Sequence, residues 1–159
     1  MGGRNTRVIG LLLPSRAFGQ LPELAILERN ADFAPTTFRG IVVDALFTGN
    51  RLFEMVRKRH ATTLRFGRRT IPCATVEGLV IMKLYALPSL YRQQRFDQVT
   101  VYEADIANLV RTYRPDLDAV LAAIGPHVLP TNLEEITKIA ADILARVERF
   151  EDRSGRQAT

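Results

Sequence analysis

Tryptophan is absent from this 159-residue chain, and cysteine occurs once, at Cys73. A lone cysteine forbids an internal disulfide and removes thiolate metal sites, which need several converging sulfur ligands. Beside Pro72 on an apolar stretch, Cys73 reads as a small core residue rather than a nucleophile. Histidine is nearly as scarce. His60 and His127 have no Ser, Cys or acidic partner at a suggestive spacing, so both read as ordinary residues. No run approaches the roughly 18 apolar residues that span a bilayer. The stretch Val8 to Leu13 is too short even for the core of a signal peptide. No membrane association is expected, and the location expected is the cytoplasm.

Acidic residues are outnumbered, 17 against 22 Lys and Arg, which gives a net charge of +5 and a pI near 9.9. Basic residues gather at Arg51, Arg57, Lys58, Arg59 and His60, again at Arg65, Arg68 and Arg69, and again at Arg92 and Arg95. Such clusters suit either a solvated surface or a nucleotide or RNA footprint. The tyrosines Tyr85, Tyr91, Tyr102 and Tyr113 are too scattered for a base-stacking platform.

The hydrophobic fraction of 47% and charged fraction of 25% are those of a globular protein, and the length suits one domain over 1–159. The apolar run from Arg7 to Leu13, closed by Pro14, predicts a buried strand, and Leu21 to Arg29 predicts a short helix. Gly40 to Phe47 reads as a strand covered on both faces, with Asp44 as its one charge. Asn50 is placed to cap a helix ending near Arg59. Thr62 to Phe66 and Thr70 to Ala74, joined through Gly67, predict a hairpin, with Pro72 confining its strand to an edge or a strand end.

Helical signals fill the rest of the chain. Thr75 offers an N-cap for a helix from Val76 to about Leu87, stopped by Pro88. Val99, Tyr102, Ile106, Leu109, Val110 and Tyr113 describe an amphipathic helix that ends before Pro115. Leu117 to Ile124 is a shorter one, and Thr131 with Glu134 suggests a capping box for a long last helix. The tail from about Glu151 is expected to fray. Strands first and helices after argue for an α+β fold, a small mixed sheet with a helical C-terminal part from about residue 76.

One ordered set of motifs carries chemistry. Thr6-Arg7-Val8-Ile9-Gly10-Leu11-Leu12-Leu13-Pro14 is followed by Ile41-Val42-Val43-Asp44-Ala45-Leu46. Next come Ala74-Thr75-Val76-Glu77-Gly78-Leu79-Val80-Ile81-Met82-Lys83-Leu84, then Phe96-Asp97 and Ala104-Asp105-Ile106. In this order they resemble the nucleotidyltransferases of the abortive-infection and toxin–antitoxin kind. The resemblance implies a nucleotidyltransferase-type sheet and transfer of a nucleotide from a nucleoside triphosphate with Mg2+. It also implies a metal-binding strand in which Val8 and Gly10 stand where two aspartates are expected. Asp44 then corresponds to the third carboxylate, as catalytic residue and metal ligand, with Lys83 and Asp105 as further catalytic candidates.

Lys83, Arg92 and Arg95 are the candidate nucleotide-binding residues. Asp44 is either a surviving metal ligand or a charged residue near a strand end. Lys83 shares the face of Leu79 and Val80, from which it either reaches a phosphate or snorkels to the surface, and Asp105 is placed to pair with Lys83 or Arg95. The family's Gly-Gly or Gly-Ser turn is expected roughly ten residues before the metal strand, on a helix that cradles phosphates. Here Gly2-Gly3 lies only a few residues before Val8, so either the first helix is lost or the start is misplaced.

Valine and glycine bind no metal. The resemblance therefore implies an impaired enzyme, with a nucleoside triphosphate, an RNA or a protein as its partner. The alternatives are an active toxin-type enzyme in which Asp97 or Asp105 substitutes for the missing pair, and a non-enzymatic nucleic-acid or protein-binding domain using the apolar seam of the last helix.

Overall fold

A computed structural model describes residues 8–156. Gly2-Gly3, Thr6 and Arg7 lie outside the described residues. The chain divides into two compact units, one ending at Arg59 and the other beginning at His60. The class is α+β, with a small mixed sheet and a helical C-terminal part.

The first unit contains β1 (Val8–Leu13), α1 (Ser15–Phe18), β2 (Ala25–Ile26), β3 (Phe33–Phe38), β4 (Ile41–Phe47) and α2 (Arg51–Arg59). Its four strands lie in the order β1-β4-β3-β2, with β1 parallel to β4 and the other neighbours antiparallel. Strand period two divides β4. Val43, Ala45 and Phe47 are buried, while Val42, Asp44 and Leu46 are half-buried, so the two faces are covered unequally.

On the more buried face Phe18, Ala34, Ala45 and Phe47 form a cluster with Leu13 and Leu24 packed against it. The rings of Phe18 and Phe47 meet edge to face at 5.5 Å, and the Arg29 guanidinium lies over both, at 5.5 and 5.3 Å. Thr36, fully buried, donates its hydroxyl to the Val43 carbonyl at 2.7 Å, which satisfies a group that would otherwise be costly to desolvate.

β1, expected to be buried, lies at the end of the described sheet with Ile9 and Gly10 exposed and Leu11, Leu12 and Leu13 half-buried. Two further departures from the sequence reading fall here. No helix forms over Leu21 to Arg29. Leu21 and Leu24 make a turn, and Ala25 and Ile26 pair with Thr37 and Thr36. The segment's other apolar residues, including Ile26 and Leu27, are exposed, so a short helix would gain little burial to offset its nucleation. The second departure is β3, which the sequence reading left out. It enters through a two-residue turn at Arg39 and Gly40, both with positive φ (48° and 80°), the backbone of a tight hairpin.

The second unit opens with a hairpin, β5 (Ala61–Phe66) and β6 (Arg69–Ala74), and continues with α3 (Val76–Arg92), α4 (Phe96–Tyr113), α5 (Leu117–Ile124) and α6 (Pro130–Arg156). Gly67, at φ 59°, begins the two-residue loop, the position where a tight hairpin needs a residue without Cβ strain. The four helices pack on one another, with Leu84, Ile106, Ile124, Ile136 and Ile143 among the fully buried side chains. Cys73 is half-buried.

Two boundaries differ from expectation. Pro88 does not stop α3, which runs on to Arg92. Leu87, Pro88 and Leu90 are buried, and that packing offsets the hydrogen bond the proline removes. Thr131 is not an N-cap, because Leu133 N–H bonds to the Leu129 carbonyl and Pro130 is already helical. A proline with φ preset for the first turn makes the capping box unnecessary. The last helix runs past Glu151 to Arg156, and Glu151 accepts a hydrogen bond from Arg114 at 2.7 Å.

Candidate functional site

Asp44 lies in the first unit, and Lys83, Arg92, Arg95 and Asp105 in the second. In the sheet, Asp44 is flanked by Gly10 on β1 and Pro35 on β3, neither of which carries a polar side chain. Among the described residues a Cβ built on Gly10 would meet nothing nearer than Leu46 Cδ1, at 4.0 Å. The position therefore has room for a side chain. Val8, two residues earlier in the strand, pairs with Val42.

Magnesium needs several oxygen ligands converging on one point. Among the described residues no group of three or more His, Cys, Asp and Glu is gathered in that way. Asp44 is a single carboxylate in the described sheet, and these residues do not by themselves fit a divalent metal.

In the second unit, sequence-distant charges do meet. Lys83 Nζ on α3 donates to Asp105 Oδ2 on α4 at 3.0 Å, one of the two pairings expected for Asp105. Lys83 Nζ also lies 4.4 Å from the centre of the Tyr102 ring, where the ring's electron-rich face attracts a cation. Both members of the ion pair are about three-quarters buried, at 23% and 30% side-chain exposure. The lysine therefore neither simply snorkels nor stands alone as a phosphate hook.

Arg92, the last residue of α3, reaches Glu135 on α6 at 3.3 Å in an exposed pair. Arg95 is exposed at the N-cap of α4 and makes no ion pair among the described residues. Asp97 is exposed in the first turn of the same helix, where a negative charge suits the helix dipole.

The sequence reading missed a polar relay that joins three helices. Tyr91 on α3 donates its hydroxyl to Glu103 on α4, and the other Glu103 oxygen accepts from Arg146 on α6 at 2.7 Å. That carboxylate holds the Tyr91 phenol up at about 12, with burial adding to the effect. A shallow groove beside the relay is lined by Ile139, Asp142, Ala145 and Arg149. Only the shared helical phase of Tyr91 with Leu87 and Leu84 could have hinted at this, because Glu103 and Arg146 lie far apart in sequence.

No helix among the described residues is long and apolar enough to cross a membrane. A scan of the chain against models of known protein families finds no match, and neither does a search of curated proteins.

Proposed function

We propose that this chain is a nucleotidyltransferase-like protein with an impaired catalytic centre, related to enzymes that transfer a nucleotide from a nucleoside triphosphate with magnesium. The observation that carries the reading is the strand register. Gly10 lies directly opposite Asp44, with position 8 two residues before it on the same strand. Strand geometry repeats every two residues, so aspartates at 8 and 10 would both project beside Asp44, the convergence that a metal clamp requires. The order of the motifs along the chain adds support.

In this reading Asp44 is the remaining carboxylate of the clamp. Lys83 and Asp105 hold the helical unit together through their ion pair, and of the three candidate nucleotide-binding residues Arg95 is the one that makes no ion pair among the described residues. The partner is a nucleoside triphosphate or an RNA, and the working compartment is the cytoplasm, in keeping with one unpaired cysteine.

The test is label transfer. The purified chain, given each radiolabelled nucleoside triphosphate with magnesium and RNA or protein acceptors, is expected to label nothing. The Val8→Asp/Gly10→Asp variant is expected to bind the magnesium–nucleotide complex at least about tenfold more tightly than the natural chain, since two added carboxylates supply missing ligands. Equal binding by the two would count against the ancestral site. Robust labelling by the natural chain, abolished by Asp44→Ala, would overturn the impaired reading in favour of an active toxin-type enzyme.

A further inference from the structure

The β5–β6 hairpin carries side chains that the helical core does not use. It is a two-stranded sheet to which no further strand is paired among the described residues. All of β5 and the first four residues of β6 are exposed. Such a ribbon is marginally stable by itself. Its base is held by the Thr75 N–H bonded to the His60 carbonyl at 2.7 Å and by half-buried Cys73 and Ala74.

Register places Leu64 opposite Ile71 and Phe66 opposite Arg69, so these four residues share one face. Leu64, Phe66 and Ile71 are 49%, 58% and 42% exposed. The Leu64–Ile71 contact accounts for part of that face as ribbon stabilisation. It does not account for Phe66 at the tip, whose ring makes no aromatic or cation contact among the described residues.

Charge identifies what would cover this face. No Asp or Glu occurs from His60 to Val76; Arg69 shares the face of Phe66, Arg68 lies in the turn between them, and Arg65 lies on the opposite face, its Nε donating to the Gly67 carbonyl at 3.2 Å. Among the described residues none of the three forms an ion pair, whereas Arg92, Arg114 and Arg146 on the helices each hold a glutamate. A second copy docked strand to strand would bring arginine against arginine, and Pro72 lacks an N–H for extending β6. A phosphate backbone removes that repulsion, and an unpaired base offers a flat apolar surface to Phe66.

We infer that the β5–β6 hairpin is a docking arm for a single-stranded nucleic acid. Arg68 and Arg69 take backbone phosphates beside the Phe66 ring, on which one unstacked base lies, and Arg65 takes one where the nucleic acid passes the hairpin tip to the other face. The inference does not depend on Asp44 or on nucleotide transfer.

Fluorescence anisotropy tests this with a labelled single-stranded RNA of about 16 nucleotides, as long as the largest site of a single-strand-binding OB fold and so ample for a hairpin. Single-stranded DNA of the same sequence and an RNA duplex are run beside it, without nucleotide or magnesium. Equal binding of both single strands supports phosphate and base-face contact. A preference for RNA supports it with an added 2′-hydroxyl contact.

The Arg65→Ala/Arg68→Ala/Arg69→Ala variant is expected to bind at least tenfold more weakly. It should also flatten the slope of log affinity against log salt by about two, as loss of three phosphate contacts on a single strand requires. Phe66→Ala is expected to weaken binding about fivefold or more with the slope unchanged. The corresponding triple lysine variant keeps the charge and should stay within about threefold of the natural chain, which separates lost contacts from a misfolded ribbon. Arg149→Ala, on an exposed part of α6, should change nothing.

The inference is overturned by absence of binding, by hairpin variants that bind like the natural chain, or by an equal loss with Arg149→Ala. Duplex binding as tight as single-strand binding and indifferent to Phe66→Ala also overturns it. So does a dimer in sedimentation that Phe66→Ala dissolves, which would make a second copy the occupant. Failure here leaves the reading of Asp44 standing, because no transfer chemistry enters the assay.

Discussion

Lys83 and Asp105, 22 residues apart in sequence, meet at 3.0 Å and tie α3 to α4 in a partly buried ion pair. Its setting lies between the exposed pairs that contribute almost nothing and the buried pairs whose rupture strands a charge. Lys83→Met is therefore expected to cost about 1–2 kcal/mol, lowering the unfolding midpoint by about 3–6 °C for a chain of this size. A double-mutant cycle with Asp105→Asn should show coupling of about 1 kcal/mol. Additive effects in the melts would refute the pairing.

Helix starts are the next check. Asn50 Oδ1 accepts from the Leu52 and Phe53 N–H groups at 2.9 and 3.3 Å, and Thr75 Oγ1 accepts from Gly78 at 3.2 Å. Each cap satisfies donors that the helix itself leaves open. Asn50→Ala and Thr75→Ala are each expected to cost about 1 kcal/mol in denaturant unfolding. Replacement by Ser, which keeps an acceptor, should recover most of that loss, and no difference between Ala and Ser would show that the caps do not matter.

Glu54 provides an acid-side test. Hydrogen bonds from Arg57, at 2.7 and 2.8 Å, and from Lys58 hold its carboxyl down at about 2. A folded-state value below the unfolded one means that the stabilisation is present above about pH 4.5 and fades as pH falls toward 2. Carboxyl NMR titration should show a Glu54 midpoint near 2. High salt should bring it back toward the ordinary value, because the pair is at the surface. A midpoint near 4.5 in dilute buffer would show that the arginine contact does not persist in solution.

Tyr91 provides the alkaline counterpart. Its phenol is held up at about 12, first by the hydrogen bond to the Glu103 carboxylate and then by burial. The contact favours the protonated form, so its contribution is complete below about pH 10 and is lost as pH rises through about 12. Absorbance titration of tyrosinate should show a late-titrating tyrosine that disappears in Tyr91→Phe. Glu103→Gln should move it back toward 10. An unchanged late titration in Glu103→Gln would assign the shift to another cause.

Gly10→Asp tests the strand register directly. A carboxylate would stand opposite Asp44 without steric conflict among the described residues, where the nearest atom to a built Cβ is 4.0 Å away. Like charges directly opposed across a sheet are unfavourable by up to about 1 kcal/mol. The variant should therefore melt below the natural chain at neutral pH, with the gap narrowing as acid protonates one carboxylate. A gap independent of pH would mean that the two groups do not face each other.

Much of the fold was legible because its signals are local. The apolar run of β4 broken at Thr48-Gly49, the Asn50 and Thr75 caps, the Gly67 turn and the periodicity of α4 each lie within one element, and each appears where the sequence places it. The failures are places where a neighbour outweighed the local preference. Leu21 to Arg29 has helical composition, yet its backbone pairs with Thr36 and Thr37. Pro88 reads as a stop, yet burial carries α3 through it. β3 was hidden because Pro35 and Thr36-Thr37 give little strand pattern until β4 lies beside them.

The candidate residues divide in the same way. That positions 8 and 10 lack carboxylates, that Asp44 is the lone charge of its strand and that the hairpin is basic without acid are properties of composition and order, settled by the chain alone. That Gly10 is the residue opposite Asp44, that Lys83 takes Asp105 and the Tyr102 ring, and that Tyr91, Glu103 and Arg146 form a relay were decided by tertiary structure. The reason is range. Caps, turns and periodicity act within a few residues, whereas strand register and the choice of ion-pair partner depend on which side chains burial brings within about 3 Å, across sequence separations that no local pattern encodes.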